Sequence, residues 1–129
     1  MSVHEPVKRA ALSIVALRIG TVAWLTLLVV GALQPARPDF VKGVHREIHW
    51  VAFAGAALLL IAVVRTRRQE TVGVFTVFCL GLCLEILQHL LYRNPIEWRD
   101  VSDDGLAIMV AFACYHLTRV RKAAFPPHR

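Results

Sequence analysis

Charged residues are scarce in this sequence of 129 residues, and the scarcity restricts the class of protein. Only 19% of the residues are charged and 57% are hydrophobic, against roughly 25% and 45–50% in an ordinary soluble domain. The hydrophobic residues form four long blocks, so the polar face of a soluble surface helix is missing. The pattern argues against a soluble domain and predicts an integral membrane protein.

Cysteine is also rare, and its positions argue against disulfide chemistry. Cys79, Cys83 and Cys114 all lie in apolar blocks, and no CxxC pair occurs. An odd number of cysteines without an extracellular framework argues against structural disulfides. Because a buried cysteine behaves as a small hydrophobe, we interpret all three as packing residues.

Established catalytic motifs are missing as well. The chain has no HExxH helix, no G-x-S-x-G elbow and no P-loop, which are the motifs that would indicate known enzyme chemistry. The net charge of +6 does not indicate nucleic acid, because the basic residues stand in short connections and form no basic domain. We therefore assign no catalytic residue, no cofactor, no metal site and no nucleic-acid partner.

The four apolar blocks predict an all-α membrane protein with four transmembrane helices packed as a bundle. About 20 helical residues cross a hydrocarbon core about 30 Å thick, and the predicted spans are 10–33, 47–64, 71–92 and a short fourth at 104–118. The first block resembles a signal peptide but lacks an A-x-A-like cleavage site, so we interpret it as an uncleaved anchor. Residues 1–9 and 119–129 are the predicted cytoplasmic tails.

The distribution of Lys and Arg predicts the orientation, because these residues favour the cytoplasmic side. With four spans, both termini share one side with the connection at 65–70. The basic residues on that side are Lys8, Arg9, Arg65, Arg67, Arg68, Arg119, Arg121, Lys122 and Arg129. Those on the other side are Arg37, Lys42, Arg46, Arg93 and Arg99. We expect cytoplasmic termini in a multi-pass membrane protein.

This orientation places polar residues from three segments at the outer leaflet. Glu85 lies inside the third span, where an acid costs up to about 2.5–3.5 kcal/mol and needs a partner. Gln88 and His89 follow on the same helix face, and His45 and His49 share a face of the second span. The predicted binding pocket comprises His49, Glu85, Gln88, His89, Arg93, Arg99, Asp100, Asp103 and Asp104.

Structural roles are an alternative for these residues. Glu85 could pair with a histidine or an arginine only to hold the spans together. Ser102 or Asp103 could cap the fourth helix, whose N-terminus carries a partial positive charge. The other acids of that loop would then be solvated.

The order of these residues resembles the VanZ-like family of small bacterial membrane proteins, named for a component associated with resistance to the glycopeptide teicoplanin. The resemblance consists of a histidine at the start of one span, E-x-x-Q near the end of the next, and an Arg- and Asp-rich turn into a last span. It covers roughly residues 45–116. The family's characteristic polar positions correspond to His49, Glu85, Gln88, Arg93 and Asp100.

The chain departs from the family pattern at two places. His45-Arg46 stands where the family has Asp-Lys, and Asp104 stands where it has Asn. The resemblance implies a role in the cell envelope with a contribution to glycopeptide (teicoplanin) resistance.

Three functions fit the pattern. The first is a binding protein whose outer pocket engages the polar headgroup of a membrane lipid, a lipid-linked wall precursor or an antibiotic. Arg93 and Arg99 suit phosphate or carboxylate, because guanidinium forms bidentate bonds. The second is a membrane-embedded enzyme acting on a lipid or lipid-linked phosphate, with His49, Glu85, His89 and an aspartate as acid, base or ligands of Zn²⁺ or Mn²⁺. A transporter or channel subunit ranks last, because no internal repeat or Pro-broken helix occurs.

Overall fold

The structure is a computed structural model that describes residues 4–34 and 44–124, with side chains from 12–34 and 44–121. The described chain forms four helices and no sheet: α1 His4–Ala32, α2 His45–Val63, α3 Arg67–Tyr92 and α4 Trp98–Ala124. Most of the predicted connection between the first two spans lies outside the described residues, with Arg37 and Lys42, as does the end of the basic tail.

Contacts at the helix ends show that successive helices run antiparallel. The end of α1 meets the end of α3, where the Tyr92 hydroxyl donates to the Leu33 carbonyl at 2.7 Å. The start of α2 meets the start of α4, where His45 lies 2.8 Å from Asp100. We call this end of the bundle the cluster end. The start of α1 and the end of α4 lie at the opposite end.

Small residues let α2 and α4 pack closely. Ala56 and Ala57 on α2 and Ala107 on α4 are fully buried, and Ala111 is 6% exposed. Small side chains at a helix interface allow the backbones to approach. The most extensive helix pair of the described fold is therefore α2 with α4, and this pairing brings the polar starts of both helices together.

Three of the helices are long and apolar enough to cross a membrane, at Leu12–Ala32, His45–Val63 and Arg67–Tyr92. Their apolar side chains face outward: Leu27, Phe75 and Leu90 are 69%, 66% and 69% exposed. Charged residues stand at both ends of α4, which is not among the three. The all-helical membrane class is thus supported, whereas the fourth span stays a prediction.

Several helix boundaries differ from the predicted spans: α1 begins at His4, before the predicted 10, and α4 ends at Ala124, after the predicted 118. The α3 helix begins at Arg67 and not in the predicted interval after residue 70, because Thr66 and Gln69 form a reciprocal capping box that satisfies two backbone N–H groups. The α4 helix begins at Trp98, well before the predicted start at 104. The connection between α3 and α4 is therefore short.

Candidate polar site at the cluster end

A buried polar cluster lies where α2 begins, α3 ends and α4 begins. We define the polar cluster as His45, His49, Glu85, Asp100 and Asp104. The three acids are only 6%, 6% and 2% exposed, respectively. Both histidine side chains are largely buried, at 20% and 16% exposed. Three helices thus contribute residues to the polar cluster.

His49 lies at the centre of the polar cluster, between two aspartates of α4. Its Nδ1 is 2.8 Å from Asp104 Oδ1, and its Nε2 is 3.7 Å from Asp100 Oδ2. An ionised carboxylate only accepts hydrogen bonds, so Nδ1–H donates to Asp104. The ring also stacks on buried Phe53, with centroids 6.0 Å apart. These contacts fix the orientation of the ring and direct Nε2 toward Asp100.

His45 stands one helical turn before His49 and faces the same aspartate. Its Nε2 is 2.8 Å from Asp100 Oδ2. The two imidazole rings meet edge to face, with centroids 4.4 Å apart. Spacing of four residues on a helix puts both rings on one face, so two imidazoles share one carboxylate.

Glu85 connects the polar cluster to the backbone that precedes α4. Its Oε2 accepts a hydrogen bond from the backbone N–H of Glu97 at 3.2 Å. It also lies within electrostatic range of His49 and Asp100. The buried acid therefore fastens the α3–α4 connection while facing the histidine-bearing side of the site.

Asp103 is paired separately from the polar cluster. Arg46 binds it with two parallel bonds, Nε to Oδ2 at 2.8 Å and Nη2 to Oδ1 at 2.9 Å. This hydrogen-bonded guanidinium holds the pKa of the Asp103 carboxyl below its usual range, and Trp50 and Arg99 act in the same direction. Arg46 thus neutralises one of the four buried acids at this end.

Several predicted pocket residues lie outside the polar cluster. The Gln88 amide donates to the Ala32 carbonyl at the end of α1. His89 is exposed, and its Nδ1 contacts the Asn94 carbonyl in the connection to α4. Both side chains therefore bind the end of α3 to adjacent backbone, at the end of α1 and in the connection to α4. Their spacing from Glu85 had suggested a shared pocket.

Arg93 and Arg99 lie at the cluster end with exposed side chains. Arg93 is the one non-glycine residue of the described chain with positive φ, at 57°. It ends α3 in the left-handed conformation, and its N–H donates to the His89 carbonyl. Among the described contacts, neither guanidinium donates to a carboxylate. Both arginines thus stay at the rim.

The expectation that Ser102 or Asp103 caps the last helix is wrong. Because α4 begins at Trp98, both residues lie inside it, and the Ser102 hydroxyl donates back to the Trp98 carbonyl at 2.9 Å. Asp103 and Asp104 instead bind side chains of α2. The acids of this segment therefore have partners across the helix interface.

Sequence reasoning missed a second ionic group, at the opposite end of the bundle. Glu70 on α3 is 3% exposed. Its carboxylate lies 3.2 Å from Arg119 Nη1 and 3.4 Å from His116 Nε2, both on α4. The sequence feature that could have predicted this group is an acid in the first turn of α3, at the same end of the bundle as the basic end of α4. Sequence reasoning also left His45 out of the predicted pocket.

The polar cluster combines ring nitrogens, which accept protons or bind metals, with carboxylates that hold cations. Its chemistry is therefore that of binding a cation or exchanging a proton.

Comparison with known proteins finds no family model, no curated protein and no solved structure that matches the chain. The resemblance to the VanZ-like family consequently rests on the residues quoted above and stays a prediction.

Proposed function

We propose that this protein is a VanZ-like membrane protein of the bacterial cell envelope that binds a polar headgroup at the cluster end. The observation that carries the proposal is the convergence of Glu85, His49, Asp100 and Asp104 from three helices. Buried ionisable groups at the end of a membrane bundle are costly to maintain and are usually functional.

The rim of the polar cluster supports an anionic headgroup as the ligand. Arg93 and Arg99 are exposed at the same end of the bundle as the buried acids, and guanidinium binds phosphate and carboxylate bidentately. Trp98, 66% exposed at the start of α4, suits the headgroup level of a membrane. A lipid-linked wall precursor presents such a phosphate next to its hydrocarbon chain.

The orientation in the membrane is part of the proposal. Four spans would place both termini in the cytoplasm and the polar cluster in the outer leaflet of the inner membrane. The predominance of basic residues near the termini supports this orientation. A contribution to teicoplanin tolerance would follow if the bound headgroup belongs to the precursor that the antibiotic recognises.

Binding of a short-chain polyprenyl diphosphate to the purified protein in detergent tests the proposal, with the parent alcohol as a reference. We expect the diphosphate to bind and the alcohol not to bind. The variant Arg93→Ala/Arg99→Ala should bind roughly tenfold or more weakly, since a charged hydrogen bond contributes about 1.5–3 kcal/mol. Arg65→Ala/Arg68→Ala, at the opposite end, is the matched control. Equal binding by both double variants would contradict the proposal.

A parallel test measures teicoplanin tolerance in cells that express the protein. Glu85→Gln should lower tolerance at unchanged membrane abundance, whereas Glu70→Gln at the opposite end should not. Unchanged tolerance with Glu85→Gln would refute the link to resistance and leave headgroup binding to the first experiment.

A membrane-embedded lipid enzyme is the second candidate, and the Asp104–His49 pair favours it. A carboxylate that orients an imidazole through Nδ1–H prepares Nε2 to take up a proton. Release of phosphate from the same diphosphate probe, lost in His49→Gln, would support an enzyme. Binding without turnover would support a binding protein.

A further inference from the structure

We infer that the polar cluster binds one divalent transition-metal ion of the zinc type, with His45, His49 and Asp100 as ligands. Each of these residues offers a ligand atom, and the three atoms lie within 4.8 Å of one another. Two imidazoles and one carboxylate are a donor set that Zn²⁺, Mn²⁺ and Fe²⁺ accept and that Mg²⁺ and Ca²⁺ disfavour. The inference rests on the proposed function in one respect, namely that the ion supplies counter-charge for the headgroup.

The separations of the ligand atoms suit a metal ion between them. Asp100 Oδ2 lies 2.8 Å from His45 Nε2 and 3.7 Å from His49 Nε2. Ligands of a tetrahedral zinc at about 2.0–2.2 Å are about 3.4 Å from each other. These two distances bracket this value, and the two histidine ligand atoms lie within 4.8 Å of each other, so movements of about 1 Å would complete three ligand positions. The fourth position is left for water or a headgroup oxygen.

Asp104 accepts a hydrogen bond from the His49 ring, as carboxylates commonly do from metal-binding histidines. A metal-bound imidazole usually donates its other ring N–H to a carboxylate, which fixes the tautomer and the ring orientation. The 2.8 Å bond from Nδ1–H of His49 to Asp104 provides this arrangement. Stacking on Phe53 restricts the ring further. Nε2 therefore carries the lone pair and points toward Asp100, the third ligand.

The charge of the polar cluster also favours a bound cation. Glu85, Asp100 and Asp104 are buried acids, whereas Arg46 is engaged by Asp103. Buried carboxylates are costly unless they are paired with positive charge. A divalent ion would balance two of these three negative charges, which lowers the repulsion that a phosphate meets at the site.

Metal content and metal titration of the purified full chain in detergent, without lipid, test the inference. We expect about one zinc per chain after purification, or saturable 1:1 binding of Zn²⁺ after chelation. Co²⁺ in the same site should give the visible absorption bands of a tetrahedral nitrogen–oxygen site. His45→Ala, His49→Ala and Asp100→Asn should each abolish this binding, and Asp104→Ala should weaken it about 10–100-fold.

His116→Ala is the matched control, because His116 lies beside Glu70 at the opposite end. It should retain full metal binding, and helicity and gel filtration of every variant show whether it has folded. A folded wild-type protein that binds no Zn²⁺, Mn²⁺ or Co²⁺ would overturn the inference, as would equal binding by folded His49→Ala. Such a result would leave the histidines to balance the acids as protonated cations.

The headgroup proposal and the metal-site proposal can be refuted independently of each other. Metal binding without diphosphate binding would overturn the headgroup proposal and leave the metal site intact. Diphosphate binding that is unchanged by chelation, in a protein that binds no metal, would overturn the metal site alone. Diphosphate binding that requires the metal would support both.

Discussion

The closest packing at the polar cluster is against Gly81, and replacing this residue should disturb the site. A Cβ at position 81 would lie 2.9 Å from Phe53 Cε1 and 3.2 Å from Asp104 Oδ2. Phe53 is only 4% exposed, so its ring has little space in which to move. Gly81→Ala would therefore push both the ring that stacks on His49 and the carboxylate that orients it.

The expected magnitude follows from two opposing terms. Overpacking a well-packed site costs about 1–3 kcal/mol, whereas replacing glycine by alanine in a helix contributes about 0.5–1 kcal/mol of stability. Gly81→Ala should therefore lower the free energy of unfolding by about 1 kcal/mol, and by no more than about 2.5 kcal/mol. Gly73→Ala is the matched control on the same helix, because its Cβ would lie 3.8 Å from Leu60, in ordinary contact. It should raise stability by about 0.5–1 kcal/mol.

Unfolding of both variants by SDS titration in mixed micelles, followed by helicity, measures the difference. Metal binding provides the second readout: Gly81→Ala should weaken Co²⁺ binding, and Gly73→Ala should leave it unchanged. Equal stability changes in the two variants would refute the packing argument, because it depends on the contacts of position 81 alone.

Three further predictions concern the ionic pairs. In chelator, a double-mutant cycle of His49→Ala and Asp104→Ala, measured by SDS unfolding, should show a coupling free energy of about 1.5–3 kcal/mol, as for a charged hydrogen bond; additive effects would contradict the pair. Asp103 has a pKa lowered by Arg46, so its contribution to stability is present above the unfolded-state value of about 3.9 and is lost as the pH falls through the lower folded value. Melting temperatures from pH 7 to 3 should therefore fall less in Asp103→Asn than in wild type, and parallel curves would disprove this linkage. Glu70→Ala should lower the free energy of unfolding by about 1–2 kcal/mol, because it removes a buried carboxylate that contacts Arg119 and His116 across the α3–α4 interface; a change below about 0.5 kcal/mol, typical of a surface substitution, would show that the ionic group at the opposite end does not stabilise the fold.

Periodicity and composition were sufficient for the helical class, because apolar blocks of membrane-spanning length indicate helices directly. They were insufficient for the helix ends. The capping box at Thr66 and Gln69 extends α3 toward its start, and α4 begins before its acidic residues. Helix ends depend on local hydrogen bonds, which hydropathy does not register.

The gathering of Glu85, His49 and the aspartates was also predictable from the sequence, because antiparallel helices return polar residues to one end. The individual side-chain pairs were not predictable from the sequence. Gln88 has the same helical spacing from Glu85 that suggested a shared pocket, yet it binds the end of α1.

Hydropathy and helical spacing were enough to indicate apolar helices with ionisable groups near one end, because both features can be read along the chain. The pairs themselves became apparent from the packed helices alone: His45 and His49 share Asp100, Asp104 orients His49, and Asp103 binds Arg46. Pairing depends on the rotation and close approach of α2 against α4. These are set by buried alanines acting together across the interface, which cannot be deduced from either helix alone.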